Sequence, residues 1–217
     1  MKISIYPAVN QLWKITLAAL CAVSLNISAA AEGAEESAEL SEILSRTTTL
    51  QGLFSQRQYD DKGVLLSESS GRFGLLRPGY FFWHIESPDS QSIIANPKYL
   101  WHHDLDLETV TRRPVTDSSM MSPLQILGGD LSALALRFSV EKMASGTFSL
   151  TALDVDTVFE SLTLTFDGDN ISRLDIIDTL SQRIDIRFDG VTDTPALTAE
   201  DFSFAPPAGV DLFYYDD

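Results

Sequence analysis

Three histidines and a dense set of carboxylates are the residues of this 217-residue chain whose chemistry could reach beyond packing. His102 and His103 are adjacent in a stretch that reads as a β-strand. Neighbouring strand residues point to opposite faces, so the two cannot clasp one metal ion together. A His–Asp pair with Asp104 or Asp106 is open on spacing, yet there is no Gly-x-Ser-x-Gly elbow for it to serve, and the single cysteine, Cys21, lies in a leader-like segment. Asp60, Asp61, Asp89, Asp167 and Asp169 fall in turn-like stretches, where a short carboxylate hydrogen-bonds the local backbone. The run Asp104-Leu105-Asp106-Leu107-Glu108 lacks the glycine and the spacing of a calcium loop. No phosphate-cradling glycine loop or dinucleotide fingerprint follows a strand, so neither metal nor cofactor is expected and the chain reads as a non-enzyme.

Residues 1–31 are expected to be a secretory signal peptide. Lys2 and Lys14 precede an apolar run from Ile15 to Ile27, and the small residues Ser28, Ala29, Ala30 and Ala31 follow it. The run is too short for a permanent membrane span, and cleavage after Ala30 or Ala31 fits the small-x-small rule. Lipid attachment at Cys21 is the rival reading; Leu20, directly before it, is bulkier than lipoprotein processing tolerates. Residues 32–217 then form one domain that contains no cysteine, so its stability must come from the core. Removing two lysines leaves 13 basic against 31 acidic residues, a formal charge of about -18. That excess makes nucleic acid an improbable partner and disfavours unaided adsorption to anionic lipid. An organism whose proteins are generally acidic would explain it equally well.

The periodicity of the domain is that of a β protein behind one helix. Leu40, Ile43 and Leu44 have helical spacing before Thr47, Thr48 and Thr49 end the pattern. Period-two runs then cover Phe54 to Tyr59, Val64 to Leu76, Gly79 to Glu86, Ser92 to Ala95, Tyr99 to His103 and Thr109 to Arg113. They resume at Phe138 to Lys142, Thr147 to Leu153, Phe159 to Phe166, Ile171 to Ile177 and Arg183 to Phe188. Turn residues separate the runs, as in Asp61-Lys62-Gly63, Asn96-Pro97-Lys98 and Asp167-Gly168. About eleven strands joined by tight turns build an antiparallel sheet that must curl to hide its edges. Between the two sets, Ser122 to Leu127 and Leu131 to Leu136 suit short helices.

Alternation puts Phe73 with Leu75, Phe81 with Trp83, Tyr99 with Trp101, Phe148 with Leu150 and Leu162 with Leu164 on what reads as one apolar side. Three helices could cover only part of it. Pattern alone leaves two outcomes open: a cavity that something else fills, or a closed barrel or sandwich whose core these residues form.

The run Arg77-Pro78-Gly79-Tyr80-Phe81-Phe82-Trp83-His84 resembles a segment of the periplasmic outer-membrane lipoprotein carriers, the LolA family. The likeness continues through Ser87-Pro88, Leu100-Trp101, Asp104 to Thr111, Pro123 to Leu127 and Phe166-Asp167-Gly168. It closes with Phe202-Ser203-Phe204-Ala205-Pro206-Pro207-Ala208-Gly209-Val210-Asp211. The resemblance implies a mainly β fold: an unclosed antiparallel half-barrel of about eleven strands, with an N-terminal helix and a lid of short helices over a hydrophobic cavity that accepts acyl chains. Arg77 then corresponds to the arginine that latches the lid, and Phe81 and Trp83 to cavity aromatics. Phe73, Tyr99, Trp101, Phe148, Leu162 and Leu164 join them as expected cavity residues, and Leu124, Ile126 and Leu127 are the expected plugs. The implied protein is a monomer in the periplasm, loaded with acylated lipoproteins by an inner-membrane ABC transporter and unloaded by an outer-membrane lipoprotein receptor. Departures are the brief tail after Asp211, which puts any contact made by a longer extension in doubt, and the acidity, which leaves partner electrostatics open. A carrier of another envelope lipid, a glycolipid or phospholipid, is the alternative on the same scaffold. An assembly factor whose sheet edge pairs with client strands is an alternative of another class.

Overall fold

The computed structural model describes residues 33–115, 127–128, 134–153 and 159–215. The expected signal peptide, and Leu124 and Ile126 among the expected plugs, lie outside these residues. A helix, α1, covers 33–45 and buries Ser37, Leu40 and Leu44, one stripe at three- and four-residue spacing. The strands are β1 (Thr49–Tyr59), β2 (Leu65–Leu76), β3 (Tyr80–Ser87), β4 (Gln91–Ala95), β5 (Tyr99–Asp104) and β6 (Thr109–Pro114). A single helical turn, α2 (Leu134–Arg137), leads into β7 (Phe138–Ala144), β8 (Thr147–Ala152), β9 (Phe159–Asp167), β10 (Asn170–Asp178) and β11 (Arg183–Thr192). A 3-10 turn at Ala199–Phe202 precedes β12 (Asp211–Tyr214).

All twelve strands form one sheet in the order β12-β6-β5-β4-β3-β2-β1-β11-β10-β9-β8-β7. Its two ends do not pair, so the sheet is unclosed. Eleven strands agree with the expected runs to within a few residues. The twelfth is the short tail, which pairs parallel to β6, Asp211 opposite Thr109 and Tyr214 opposite Arg112. Four residues, all exposed, carry no alternation from which a strand could be inferred.

Short acids build the turns. Asp60 Oδ1 accepts from the Lys62 and Val64 N–H groups, and Asp104 Oδ1 from those of Asp106 and Leu107. Asp178 Oδ1 does the same for Leu180 and Gln182. Gly71 is required where β2 meets β3, because a Cβ there would lie 1.9 Å from the His84 carbonyl oxygen.

The register sorts the sheet into two faces. On the inner face Ala95, Phe81, Leu75 and Leu50 stand in one row across β4, β3, β2 and β1. Phe54 and Phe188 oppose each other on β1 and β11. Leu174, Leu164 and Phe148 continue the face across β10, β9 and β8, and Ile176, Leu162 and Leu150 form a parallel row. These residues, with Leu40, Leu44, Leu127 and Leu134 above them, make one buried cluster. Leu75 of β2 and Ile171 of β10, three strands apart, line the same small cavity, which requires the sheet to curl around its contents.

A second, smaller cluster occupies the outer face. Phe82, Ile94, Trp101 and Val110 pack there under the segment that carries Leu197, Phe202, Phe204 and Val210. Phe202 is fully buried, with its ring centroid 5.6 Å from those of both Tyr80 and Phe82.

Candidate functional site

The inner face and the helical pieces above it gather most of the expected site residues. Trp83 is the centre of the wall: its ring stacks on Phe54 at 3.5 Å and lies 6.1 Å from both Phe73 and Phe81. Phe73 meets Phe188 edge-on at 4.9 Å. Of the expected cavity residues, Phe73, Phe81, Trp83, Phe148, Leu162 and Leu164 are gathered here, all buried.

Tyr99 and Trp101 are placed elsewhere. Phe82 opposes Ile94 and Ile94 opposes Trp101, so the β5 aromatics share the outer face with Phe82, not the inner face with Phe81 and Trp83. Trp101 meets the Phe204 ring at 5.3 Å, and the Arg112 guanidinium lies over Tyr99 at 4.4 Å, Trp101 at 5.4 Å and Tyr214 at 4.4 Å. Alternation fixes which residues of one strand share a face. It does not fix which face of the next strand matches, since that parity is set by the turn between them.

The roof is α1 together with Leu127, Gly128 and Leu134. Leu127 is 2% exposed and sits in the inner cluster. The Gly79 N–H donates to Gly128 O at 2.8 Å, tying this segment to the β2–β3 turn. A Cβ on Gly128 would stand 3.3 Å from Tyr80 O, so roof and sheet approach closely. Two ion pairs clamp α1 to the far half of the sheet, Glu39 with Lys142 and Arg46 with Asp169, each at 2.6 Å. Both are solvated and contribute little; the buried leucines hold the helix down.

Arg77 stands at the mouth of this arrangement. Its backbone N–H donates to Thr48 O at 2.8 Å and its guanidinium to Thr47 O, just past the end of α1. Among the described residues its buried Nε has no hydrogen-bond partner. Burial lowers the guanidinium to about 10, which leaves it charged at neutral pH. Beside it lies a small opening lined by Ile43, Leu44, Leu75, Leu127 and Ile171, with free volume of about 10 Å³. That is room for about one water. Around this opening the wall is covered by Leu44, Leu75 and Leu127.

The histidines stand apart from this site. His84 Nδ1 lies 2.8 Å from Ser92 Oγ, but among the described residues no carboxylate is hydrogen-bonded to its other nitrogen. His102 Nε2 faces Gln91 Oε1 at 3.2 Å, while His103 lies against Phe204. Burial first of all, helped for His84 by Arg72, holds His84 and His102 below the usual imidazole range. Among the described residues no three His, Cys, Asp or Glu side chains come together as metal ligands. A polar groove of about 470 Å³ crosses the outer face along Ser55, Ser70 and Ser87; its walls are paired charges, Arg57 with Glu68 at 2.5 Å and Arg187 with Asp185 at 3.4 Å.

Comparison with known proteins decides the family. The model of the family "Outer membrane lipoprotein carrier protein LolA" matches residues 45–205. The chain belongs to the LolA family. An outer-membrane lipoprotein carrier protein of Azotobacter vinelandii is 36% identical over 196 residues, 89% of this chain and 95% of the relative. One of Chromohalobacter salexigens is 33% identical over 203 residues, covering 92% and 95% of the two chains. Among solved structures, a DUF1329 family protein from Desulfovibrio piger superposes with a TM-score of 0.50 at 10% identity, over 79% of this chain and 95% of that one, a likeness of fold alone. LolA-family membership accounts for the joint presence of the Arg77 to His84 run, the unclosed sheet and the helical roof.

Proposed function

We propose that this protein is a periplasmic carrier that takes the acyl chains of lipoproteins released from the inner membrane onto its inner face and delivers them to an outer-membrane receptor. The observation that carries the reading is a continuous apolar wall, from Phe81 and Trp83 through Phe148, roofed by one helix and short helical pieces. In this reading loading is a contest between two fillings of one hollow. Withdrawing Leu40, Leu44, Leu127 and Leu134 from the wall costs about 6–12 kcal/mol, at about 1.5–3 kcal/mol for each leucine returned to water. A long acyl chain returns a similar amount at about 0.8 kcal/mol per methylene. Near balance suits a carrier, because a chain bound with its full transfer free energy would not be released. The carrier acts as a monomer, is loaded by an ABC transporter of the inner membrane, and does no covalent chemistry on its cargo.

Purified protein should bind an apolar fluorescent probe at one site per molecule and release it when an acylated lipoprotein is added. A protein that binds no acylated peptide at all would have a permanently packed core and would not be a carrier.

A further inference from the structure

From β6 to β7 every neighbouring pair of strands is antiparallel, so the hairpin turns fall alternately at two ends of the sheet. One end holds the β2–β3, β4–β5, β7–β8 and β9–β10 turns, and with them Arg77, Gly79 and Asp169, which tie sheet to roof. Residues 77–79, 96–98, 145–146 and 168–169 of these turns include no Leu, Ile, Val, Met or aromatic side chain. The other end is different in kind. There the β1–β2, β5–β6 and β10–β11 hairpins carry Val64, Leu65, Leu66, Leu105, Leu107 and Leu180 at or beside their tips, each between 45% and 72% exposed.

Three of these tips share one device. The N–H of Val64 donates to Asp60 Oδ1 at 2.7 Å, that of Leu107 to Asp104 Oδ1 at 2.9 Å and that of Leu180 to Asp178 Oδ1 at 2.8 Å. The peptide N–H behind each apolar side chain is satisfied inside its own turn, so it can leave water without losing a partner. Glu108 and Ser181 directly follow Leu107 and Leu180, with φ of 52° and 58°. They are the two non-glycine residues with left-handed backbone among the described residues. L-residues resist that conformation, and its retention on exposed turns points to use of what the turns present.

We propose that this end of the sheet docks on the surface of a zwitterionic lipid bilayer, with the valine and leucine side chains of the three tips entering the headgroup region. The proposal is independent of the carrier reading, since it concerns the unloaded protein and uses no residue of the apolar wall. Spacing favours a fluid surface over a protein partner. At about 4.8 Å between neighbouring strands, the β5–β6 and β10–β11 turns stand roughly 30 Å apart along the sheet. Between the β5–β6 and β1–β2 tips lies the β3–β4 turn, Pro88-Asp89-Ser90, with no large apolar group. Separate apolar tips enter lipid independently, whereas a protein would need a matching socket for each. Charge then selects the lipid. Residues 60–64, 104–108 and 178–183 hold six carboxylates and two cations, Lys62 and Arg183, which opposes an anionic surface and tolerates headgroups that carry both charges. The Arg183 guanidinium covers the Tyr59 ring at 4.5 Å, an amphipathic pair suited to headgroup depth.

The test is co-flotation of the cargo-free mature protein with phosphatidylcholine vesicles, and with vesicles of equal parts phosphatidylcholine and phosphatidylglycerol. Wild type should float with the first at least threefold better than with the second. The Val64→Ser/Leu107→Ser/Leu180→Ser variant, changed only at exposed positions, should lose flotation at least tenfold. Because residues 32–217 contain no cysteine, a polarity-sensitive dye on Leu180→Cys reports the contact. It should respond to phosphatidylcholine vesicles, while the same dye on Ser145→Cys, in the β7–β8 turn at the opposite end, should not. Absence of wild-type flotation, preference for the anionic vesicles, a folded triple variant that floats like wild type, or equal dye response at both ends would overturn the proposal. Concentration-dependent dimers lost in the triple variant would overturn it too, by assigning the tips to a second copy. If the triple variant does not fold, the dye pair decides alone. None of these outcomes bears on whether acyl chains enter the wall.

Discussion

Replacing Arg77 by leucine should leave the fold intact and slow the hand-over of cargo. In the roofed conformation the guanidinium makes a charged hydrogen bond to Thr47 O, an interaction worth about 1.5–3 kcal/mol. Its burial costs about 3 kcal/mol, since the fall from the ordinary guanidinium value to about 10 converts at about 1.4 kcal/mol per pKa unit. The two nearly cancel, so as a latch Arg77 would be directional without being strong. Leucine removes both and places an apolar side chain at the mouth, beside Leu75 and Leu127. An acyl chain lying there would cover it, which favours the loaded state by about 1.5–3 kcal/mol. Unloading should slow by about tenfold to a hundredfold. The assay follows a labelled acylated lipoprotein moving from preloaded carrier to vesicles bearing the receptor, with Arg77→Lys as the variant that keeps the charge and one donor and should fall between. A folded Arg77→Leu protein that unloads at the wild-type rate would refute the latch and the balance derived from it.

Two further outcomes follow from the walls of the fold. Gly71→Ala sets a Cβ against the His84 carbonyl and should lower stability by about 3 kcal/mol or more in denaturant unfolding; an unchanged midpoint would mean that β2 and β3 are not this close. His84 and His102 have folded values below their ordinary 6.5, so as pH falls the unfolded chain takes up protons first. Stability should be full above about pH 6.5 and lost as the pH drops through the folded values, and His84→Gln should flatten that decline in thermal melts; identical slopes would remove burial of His84 as a cause.

Much of this architecture is readable from residues. Eleven strands are announced by period-two alternation closed off by Asp, Asn and Gly turns, and α1 by Leu40, Ile43 and Leu44 ahead of three threonines. What escapes is whatever depends on pairing between strands. In β3 Tyr80, Phe81, Phe82 and Trp83 are apolar on both sides, so alternation has no contrast there, and the matching side of Tyr99 and Trp101 follows only from the register of β4 and β5. The outer cluster around Phe202 belongs to a Pro-rich segment with no period of its own, although Phe82, Ile94, Trp101 and Val110 already left an outer stripe to cover. Strand β12 had no local signal at all. For the site, the aromatics of the wall stand out in the sequence by alternation, while the contact of Arg77 with Thr47 needed the helix end in place.

The most direct measurement is a pulldown that compares the acylated and unacylated forms of one lipoprotein. Retention of the acylated form alone, at one molecule per carrier, is the predicted result. Equal retention of both forms would place recognition on the polypeptide and contradict the account.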